Sequence, residues 1–412
     1  MTRNEREFDL VLYGASGFVG KLTAEHLAAT APDGARIALA GRSAAKLDAV
    51  RSSLPEPARQ WPTLTADAND PAALTALARR TTAVATTVGP YLAYGVPLVE
   101  ACAEAGTHYA DLTGEVLFMR RTADKLHDVA ASSGARIVHA CGFDSVPSDL
   151  GVALLHELAG DDALTDTTLA VTDLRGGLSG GTFDSMRRTL AEVASDPEAA
   201  RILDDPYALS PARELEPDKA KPGWGSERDL RGIVHDGDLD AWLAPFVMAP
   251  SNTRVVRRTN ALLDWTYGRE FRYREVMAFR GPVAPVAAAG LTAGLAGFVG
   301  LMSTAPTRAV LDRLLPKPGE GPSEKTRRNG RFRIEITSRT ASGRRLRAVV
   351  AATGDPGYAA TAVMFGQSAL ALAFDGEQLP PRAGVLTPAT AIGQPLVDRL
   401  RTQGFTLTAA DA

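Results

Sequence analysis

Three glycines near the start of the chain have the spacing of a phosphate-binding turn. They lie in the sequence Gly14-Ala15-Ser16-Gly17-Phe18-Val19-Gly20. Gly14 would let the chain leave the preceding strand tightly, Gly17 would leave space for a pyrophosphate, and Gly20 would let a helix pack closely on the strand. A helix starting near Val19 would direct its free N–H groups at the phosphates. The spacing alone also fits a plain strand-to-helix turn.

The end of the next candidate strand indicates which dinucleotide would bind. An NAD site usually has an acid here that binds the ribose hydroxyl, whereas this chain has Arg42, which suits a 2′-phosphate. We therefore predict NADP as the cofactor. A third strand ends at Asp67 near the adenine, and a fourth breaks at Gly89 near the nicotinamide. The residues predicted to bind NADP are Gly14, Ala15, Ser16, Gly17, Phe18, Gly20, Arg42, Ser43, Asp67, Val88 and Gly89.

Alternating apolar strands and helices predict the fold class. An apolar run at 8–13 begins a series of strand and helix patterns over residues 1–150, which is typical of a Rossmann-type doubly wound parallel sheet in an α/β protein. Residues 151–355 predict a second, α+β domain, with an irregular excursion at 205–250 that is a candidate lid. Residues 356–412 predict C-terminal helices that return to the first domain.

Charge is distributed unevenly although the net charge is only −3. Residues 251–280 contain seven arginines against three acids, and residues 317–347 contain ten basic residues against three acids. The second stretch includes a predicted hairpin whose arginines share one face: Arg333, Arg339, Arg345 and Arg347. Such a region suits an acidic partner, and a solvated strand face would explain it equally well.

Other sequence features limit the cellular compartment and the kinds of partner that we expect. Cys102 and Cys141 are the two cysteines of the chain, with neither a disulfide framework nor metal-like spacing. The N-terminus is charged and lacks the apolar core of a secretion signal. We expect a cytoplasmic protein with no metal site and no nucleic-acid partner.

One uncharged segment, residues 282–304, is long enough to cross a bilayer. It consists mainly of alanine and glycine and is interrupted by Pro285, which disfavours insertion. We predict no transmembrane span, but a close-packed helix that is either buried or in peripheral contact with the inner face of the plasma membrane.

Seven long motifs together resemble one family. They are YGASGFVGKLTAEHL, LAGRS, TTVGPYLAYGVPLVEACAEAGTHYADLTGE, ACGFDSVPSDLG, APSNTRVVRRTNALL, KPGEGPSEKT and GVLTPATAIG. The chain resembles the saccharopine dehydrogenase-like proteins and, more narrowly, the mycobacterial trans-acting enoyl reductases. The resemblance covers nearly the whole chain and implies a saccharopine reductase-like layout.

The resemblance implies an NADP-dependent enoyl reductase. Its substrate would be an unsaturated acyl thioester on the acyl-carrier domain of a polyketide synthase, in the synthesis of phthiocerol-type cell-envelope lipids. Two alternatives stay open: an imine or ketone reductase acting on a free metabolite, and a non-catalytic NADP-binding scaffold for lipid assembly. A homodimer is a further expectation that the sequence does not decide.

Candidate catalytic residues follow the strands that should end near the nicotinamide. They are Tyr91, Asp111, Asp144 and Ser145. Enoyl reduction needs stabilisation of an enolate and a proton for the α-carbon, which a tyrosine hydroxyl or a carboxyl can supply. Each residue also has a structural explanation, for example organising a turn. The glycine pairs at 176–177 and 180–181 could hold a substrate phosphate, although a tight strand-to-helix crossing explains them as well.

Overall fold

The chain forms two seven-stranded sheets joined by helices. A computed structural model describes residues 6–176, 180–216, 228–302, 307 and 321–412. One sheet is entirely parallel and the other is mixed.

The first sheet has the strand order β13-β6-β5-β4-β1-β2-β3, which contains the doubly wound order of a dinucleotide-binding fold. Its strands and the elements between them are β1 (Phe8–Tyr13), α1 (Phe18–Thr30), β2 (Ile37–Gly41), α2 (Ala44–Ser53), β3 (Thr63–Thr65), α3 (Pro71–Arg79), β4 (Thr81–Thr86), α4 (Tyr91–Tyr94), α5 (Val96–Ala105), β5 (His108–Asp111), α6 (Val116–Ser133), β6 (Arg136–Val138) and β13 (Gly384–Leu386).

The second sheet has the order β14-β12-β11-β7-β10-β9-β8. It is formed and covered by α7 (Val146–Ala159), β7 (Leu164–Arg175), α8 (Gly180–Ser195), α9 (Pro197–Asp204), β8 (Val234–Asp236), β9 (Ala241–Pro245), α10 (Ala249–Leu262), β10 (Arg272–Phe279), α11 (Ala284–Met302), α12 (Glu324–Arg328), β11 (Arg331–Thr340), β12 (Arg345–Thr353), α13 (Ala359–Phe374), α14 (Pro388–Ala391), α15 (Gln394–Thr402) and β14 (Thr406–Asp411). The prediction of a Rossmann-type sheet with a second α+β domain is confirmed.

Two segments differ from the sequence-based expectation. The excursion predicted at 205–250 contains β8 and β9, which extend the second sheet beside β10, so this part of it is not irregular. At the C-terminus, α13 lies against α1 and the first sheet, and β13 joins β6. The last strand, β14, instead pairs with β12 in the second sheet. Residues 356–412 therefore cross between the two domains.

Burial separates the two basic regions. The hairpin β11–β12 buries Phe332, Ile334 and Ile336 on one face, as predicted. In α10, by contrast, Arg254 and Arg258 are 3% and 4% exposed. Arg258 donates to two backbone carbonyls, and Arg254 pairs with an aspartate. The buried arginines of α10 thus bind other segments of the chain from inside, including β13 of the first sheet, and offer no charge to a partner.

Helix α11 lies mostly on the surface. Within the described part of the chain it is long and apolar enough to cross a membrane, with a mean hydropathy of 1.6, and only 11% of it is buried. Its inward stripe includes Ala284, Ala288 and Met302, while Val286 is 75% exposed. The apolar stretch predicted from sequence is therefore a surface helix rather than a core helix.

Candidate functional site

The glycine turn between β1 and α1 has the close contacts that its glycines were predicted to allow. Gly14 has a φ of +87°, and a Cβ there would lie 2.7 Å from the Thr87 hydroxyl oxygen. A Cβ on Gly20 would lie 2.3 Å from the Gly14 carbonyl oxygen. Larger residues at these two positions would push the turn away from β4 and α1.

The middle glycine faces open space. Among the described residues, a Cβ on Gly17 would meet only the Gly14 carbonyl oxygen, at 3.3 Å. Gly17 is the N-cap of α1, whose first turn contains no acid. Ser16 and Phe18 are half-buried, and Ala15 is buried. The turn therefore leaves free N–H groups and space at the positive end of a helix, which fits a pyrophosphate.

The ends of β2 and β3 gather polar groups where an adenosine would lie. Burial raises the pKa of the Tyr13 hydroxyl to about 12, and the charges of Asp67 and Arg42 also act on it. Both charged side chains are exposed, and their effect on this pKa places them near Tyr13 at this edge of the sheet. Ser43 is the N-cap of α2, and its hydroxyl makes no bond to that helix. Arg42 forms no ion pair with any residue in the described ranges, so its charge is available to a 2′-phosphate.

The end of β4 borders the same turn. The Thr87 hydroxyl donates to the Gly14 carbonyl at 3.0 Å, which fixes the strand end against the turn. The Val88 N–H donates to the Thr86 hydroxyl oxygen at 3.1 Å. Val88 is half-buried and Gly89 is exposed. This backbone therefore lies open next to the phosphate turn, where the nicotinamide was predicted.

Tyr91 lies at this end of the site, but its hydroxyl is already bonded. It donates to the Thr86 carbonyl at 3.2 Å and accepts from the Leu112 N–H at 3.2 Å. The side chain is 6% exposed and contacts Phe118. Burial holds its pKa well above the usual value. These contacts join the ends of β4 and β5 and leave the hydroxyl poorly placed to reach a substrate.

Asp111 is likewise saturated with protein contacts. Its carboxylate accepts from the backbone N–H groups of Thr113 and Ala140, at 3.1 and 3.0 Å, and from the Tyr109 hydroxyl at 3.0 Å. The His139 Nδ1 lies 2.7 Å from the same carboxylate. The residue is fully buried. It therefore organises the ends of β5 and β6.

Asp144 differs from the other candidates because the residue is partly exposed and its carboxyl is lightly bonded. Burial raises its pKa to about 7, against a lowering contribution from its own backbone N–H, and Asp111 raises it further. A Cβ on Gly114 would lie 3.5 Å from its Oδ1 and 3.8 Å from the Ser251 hydroxyl. The carboxyl thus lies between the end of β5 and the start of α10. At neutral pH it can carry a proton.

Ser145 belongs to a buried network between the domains. Its hydroxyl donates to Asn252 Oδ1 at 3.2 Å, and Asn252 Nδ2 donates to the Glu275 carboxyl at 2.8 Å. The Tyr273 hydroxyl donates to the other oxygen of Glu275 at 2.8 Å. Burial raises the pKa of Glu275 to about 7. Ser145 therefore joins the start of α7 to α10 and is fully buried.

Glu115 is a site residue that sequence reasoning missed. Its carboxylate accepts from the backbone N–H groups of Tyr91 and Leu92 at 2.9 and 2.8 Å, which caps the start of α4. It also accepts from the Ser185 hydroxyl at 2.6 Å. The motif around Glu115 is visible in the sequence, but the bond to α8 depends on the tertiary fold. This contact places α8 over the nicotinamide end of the site.

Two further predictions concern a metal site and a phosphate cradle, and both stay predictions. Within the described ranges, no group of three or more His, Cys, Asp or Glu side chains is arranged to hold a metal ion. In the predicted glycine cradle, Gly176 packs against Pro356 and Asp355. Gly177 lies outside the described residues, and so do the side chains around position 181, so the phosphate cradle remains a prediction.

Comparison with known proteins identifies the first domain. Residues 10–138 match the family model of the saccharopine dehydrogenase NADP binding domain. This range contains the glycine turn, Arg42 and the open backbone at Val88. NADP is therefore the cofactor of this domain, as the charge at Arg42 had predicted.

Relatives extend the match to the full length. A trans-acting enoyl reductase of Mycobacterium ulcerans is 47% identical over 99% of both chains. A Mycobacterium tuberculosis protein, whose name gives it the same activity provisionally, is 51% identical over 99% of this chain and 98% of its own. The apo saccharopine dehydrogenase (L-Glu forming) of Saccharomyces cerevisiae has the same fold, with a TM-score of 0.55 at 15% identity, over 98% of this chain and 99% of its own. The chain therefore belongs to the saccharopine dehydrogenase-like family of NADP-dependent oxidoreductases, and within that family to the group of the trans-acting enoyl reductases.

Proposed function

We propose that this protein is a trans-acting enoyl reductase that reduces the α,β double bond of an acyl thioester held on the acyl-carrier domain of a polyketide synthase. The observation that carries the proposal is the 46–51% identity, over nearly the full length, to proteins with this activity in their names. The substrate domain is included in that similarity, whereas the saccharopine dehydrogenase structure shares only the fold. Lipid precursors of the phthiocerol type are the proposed acyl chains.

Reduction of the double bond needs a hydride and a proton, which come from different groups. NADPH, when bound, supplies the hydride that the β-carbon of the substrate receives. The α-carbon then needs a proton, and we propose that Asp144 donates it, since its pKa of about 7 leaves roughly half of the carboxyl protonated at pH 7. Its partial exposure lets water restore the proton afterwards.

The surrounding residues position this carboxyl. Tyr91 and Asp111 fix the ends of β4 and β5 through backbone contacts, so the predicted chemical roles of these two residues become positioning roles in this proposal. Ser145, the residue after Asp144, is anchored to Asn252. The Asp144 backbone is thus attached to rigid elements, which reduces the entropy lost when the substrate is aligned.

An activity assay over three substrate classes tests the proposal. NADPH oxidation is followed with an enoyl thioester on a carrier domain, a small enoyl thioester and a panel of free imines. We expect turnover of both thioesters and none of the imines. Turnover of the imines alone would favour the free-metabolite reductase. NADPH binding without turnover of any substrate would favour the scaffold.

We also propose peripheral contact of α11 with the inner face of the plasma membrane. The supporting observation is that an uncharged helix about 28 Å long, at 1.5 Å per residue, lies on the surface with Val283 and Val286 70% and 75% exposed. Exposed apolar area of this kind is stabilised by lipid. Washing membranes with high salt or carbonate should release the protein. A requirement for detergent would contradict peripheral contact and indicate a span.

A further inference from the structure

A segment of the second domain lies over the start of the phosphate-binding helix. Phe18, the first residue of α1, contacts the Tyr358 ring edge-to-face at a centroid distance of 4.9 Å. A Cβ on Gly321 would lie 2.3 Å from the Phe18 ring, so this backbone lies directly against it. The guanidinium carbon of Arg327, in α12, lies 5.2 Å from the same ring centroid. The half-buried Phe18 is thus shared between the two domains.

The position of Arg327 is determined by several contacts. Its carbonyl accepts from the Asp355 N–H at 2.8 Å, which ties α12 to the turn after β12. Its guanidinium donates to the Pro322 carbonyl at 3.0 Å. The side chain is half-buried on Phe18. Its remaining N–H groups are therefore held beside the ring of Phe18, the first residue of α1, at little further entropic cost.

The charges around Arg327 at the start of α1 favour binding of an anion there. The N-terminus of α1 carries the positive end of the helix dipole, and a cation beside it is repelled. Within the described ranges, Arg327 forms no ion pair with a carboxylate, and the first turn of α1 contains no acid. The neighbouring Arg328, by contrast, pairs with Glu324 at 2.6 Å. A phosphate between α1 and Arg327 would relieve this repulsion and bind both.

We infer that Arg327 binds the pyrophosphate of NADP from the second domain, so that the dinucleotide is held between both domains. A phosphate on the substrate arm would satisfy the same chemistry. The dinucleotide is the better occupant because Arg327 lies at the helix start that accepts the pyrophosphate. This inference rests on NADP binding by the family and not on the proposed acyl substrate, so either can fail without the other.

Binding experiments without any acyl substrate test the inference. NADPH and adenosine 2′-monophosphate, which has the 2′-phosphate but neither phosphate of the pyrophosphate, are titrated calorimetrically against wild type, Arg327→Gln and Arg328→Gln. Losing a charge-assisted contact should weaken NADPH binding to Arg327→Gln roughly tenfold or more. Binding of the monophosphate should stay within twofold. Arg328→Gln removes the same charge from the same helix and should bind both ligands as wild type does.

Other outcomes overturn the inference. If Arg327→Gln weakens both ligands equally, the residue supports the fold of the site rather than the pyrophosphate. If NADPH binding is unchanged while the KM of a phosphopantetheine thioester rises and that of a pantetheine thioester does not, Arg327 binds the substrate phosphate. Thermal unfolding of each apo variant shows whether folding is intact, and Arg327→Lys, which keeps the charge, should recover part of the NADPH affinity in a folded protein.

Discussion

The Ser185 hydroxyl donates to the Glu115 carboxylate at 2.6 Å and so joins α8 of the second domain to the first domain. The same carboxylate caps the start of α4 by accepting from Tyr91 and Leu92. One side chain therefore stabilises the end of the site at which reduction is proposed, and it couples that end to the helix above it.

The two partners of this bond should differ in their effect on stability. Glu115→Ala leaves the buried Tyr91 N–H and the part-buried Leu92 N–H without an acceptor, which costs about 1–3 kcal/mol for the buried group and less for the other. Ser185→Ala removes only one hydrogen bond, worth about 1 kcal/mol. The thermal midpoint should therefore fall clearly more in Glu115→Ala. Equal falls would show that the backbone N–H groups find other acceptors.

The protonation of Asp144 should set the pH dependence of turnover. Its pKa is raised to about 7 by burial, so the donor form prevails below that pH and is lost above it. We expect kcat to fall about tenfold per pH unit above pH 7. Asp144→Asn should lower kcat by roughly a hundredfold or more and flatten the profile. An unchanged profile in Asp144→Asn would assign the proton to another group.

Local features of the site could be predicted from the sequence, and long-range ones could not. The glycine turn and Arg42 follow from the spacing within one strand-turn-helix unit, where each residue is tied to its neighbours. The bonding of Tyr91 depends on Leu112, and the position of Arg327 depends on packing against Phe18, over 300 residues away. No periodicity in the sequence records such contacts.

Charge patterns were similarly incomplete as a guide. The arginines of α10 occur in the sequence at a similar density to those of the β11–β12 hairpin. Burial distinguishes them, because Arg257 and Arg258 are 4% exposed and donate to carbonyls of distant segments. Only the fold shows which carbonyls lie within reach of a guanidinium.

Cofactor selectivity should depend on Arg42. Because its guanidinium is exposed and has no acidic partner in the described ranges, it can bind a 2′-phosphate in wild type. We expect NADPH to bind about ten- to a hundredfold more tightly than NADH, and Arg42→Glu to reverse or abolish this preference. Fluorescence titration of NADPH and NADH against wild type and Arg42→Glu measures this preference. Equal affinities in wild type would contradict the role of Arg42.

The stability of the protein should depend on pH through Glu275. Its folded pKa is raised to about 7 by burial, partly offset by bonds from Ser148, Asn252 and Tyr273. The folded state therefore binds more protons than the unfolded state, and stability falls as pH rises from about 4.5 to about 7.

A Glu275→Gln variant isolates this contribution. The variant cannot ionise, so its stability relative to wild type should rise between pH 4.5 and pH 8, by on the order of 3 kcal/mol at most. The amide also changes the free energy of unfolding by an amount that does not depend on pH. This amount cancels when the difference between variant and wild type at one pH is compared with the difference at another. The thermal midpoints of both proteins at pH 5 and pH 8 provide the test. The same change in midpoint in both proteins would show that Glu275 does not titrate in this range.

Docking of an acidic carrier domain is the proposed use of the hairpin arginines. Arg345 pairs with Asp238 at 3.3 Å and Arg347 with Glu335 at 2.8 Å, so part of the charge is compensated inside the protein. The Arg345–Asp238 pair is exposed and contributes little to stability. Glu335 is only 15% exposed but has a second partner, Arg333 at 3.0 Å, so changing both arginines should leave the fold intact. The Arg345→Glu, Arg347→Glu double variant should raise the KM for a carrier-bound enoyl substrate and leave turnover of a small enoyl thioester nearly unchanged. The effect should fade with salt, since the Debye length falls from about 10 Å at 0.1 M to about 3 Å at 1 M.

A matched control changes two arginines at the amino ends of the strands of the first sheet. Arg36 and Arg80 are 46% and 45% exposed, pair with Asp9 and Glu7, and lie at the amino ends of parallel strands, away from the site. The Arg36→Glu, Arg80→Glu double variant changes the charge equally and should leave both KM values as in wild type. Gly17→Val, in contrast, should impair both substrates by filling the space for the pyrophosphate. If the hairpin variant impairs both substrates equally, the hairpin is structural and the carrier domain must dock elsewhere.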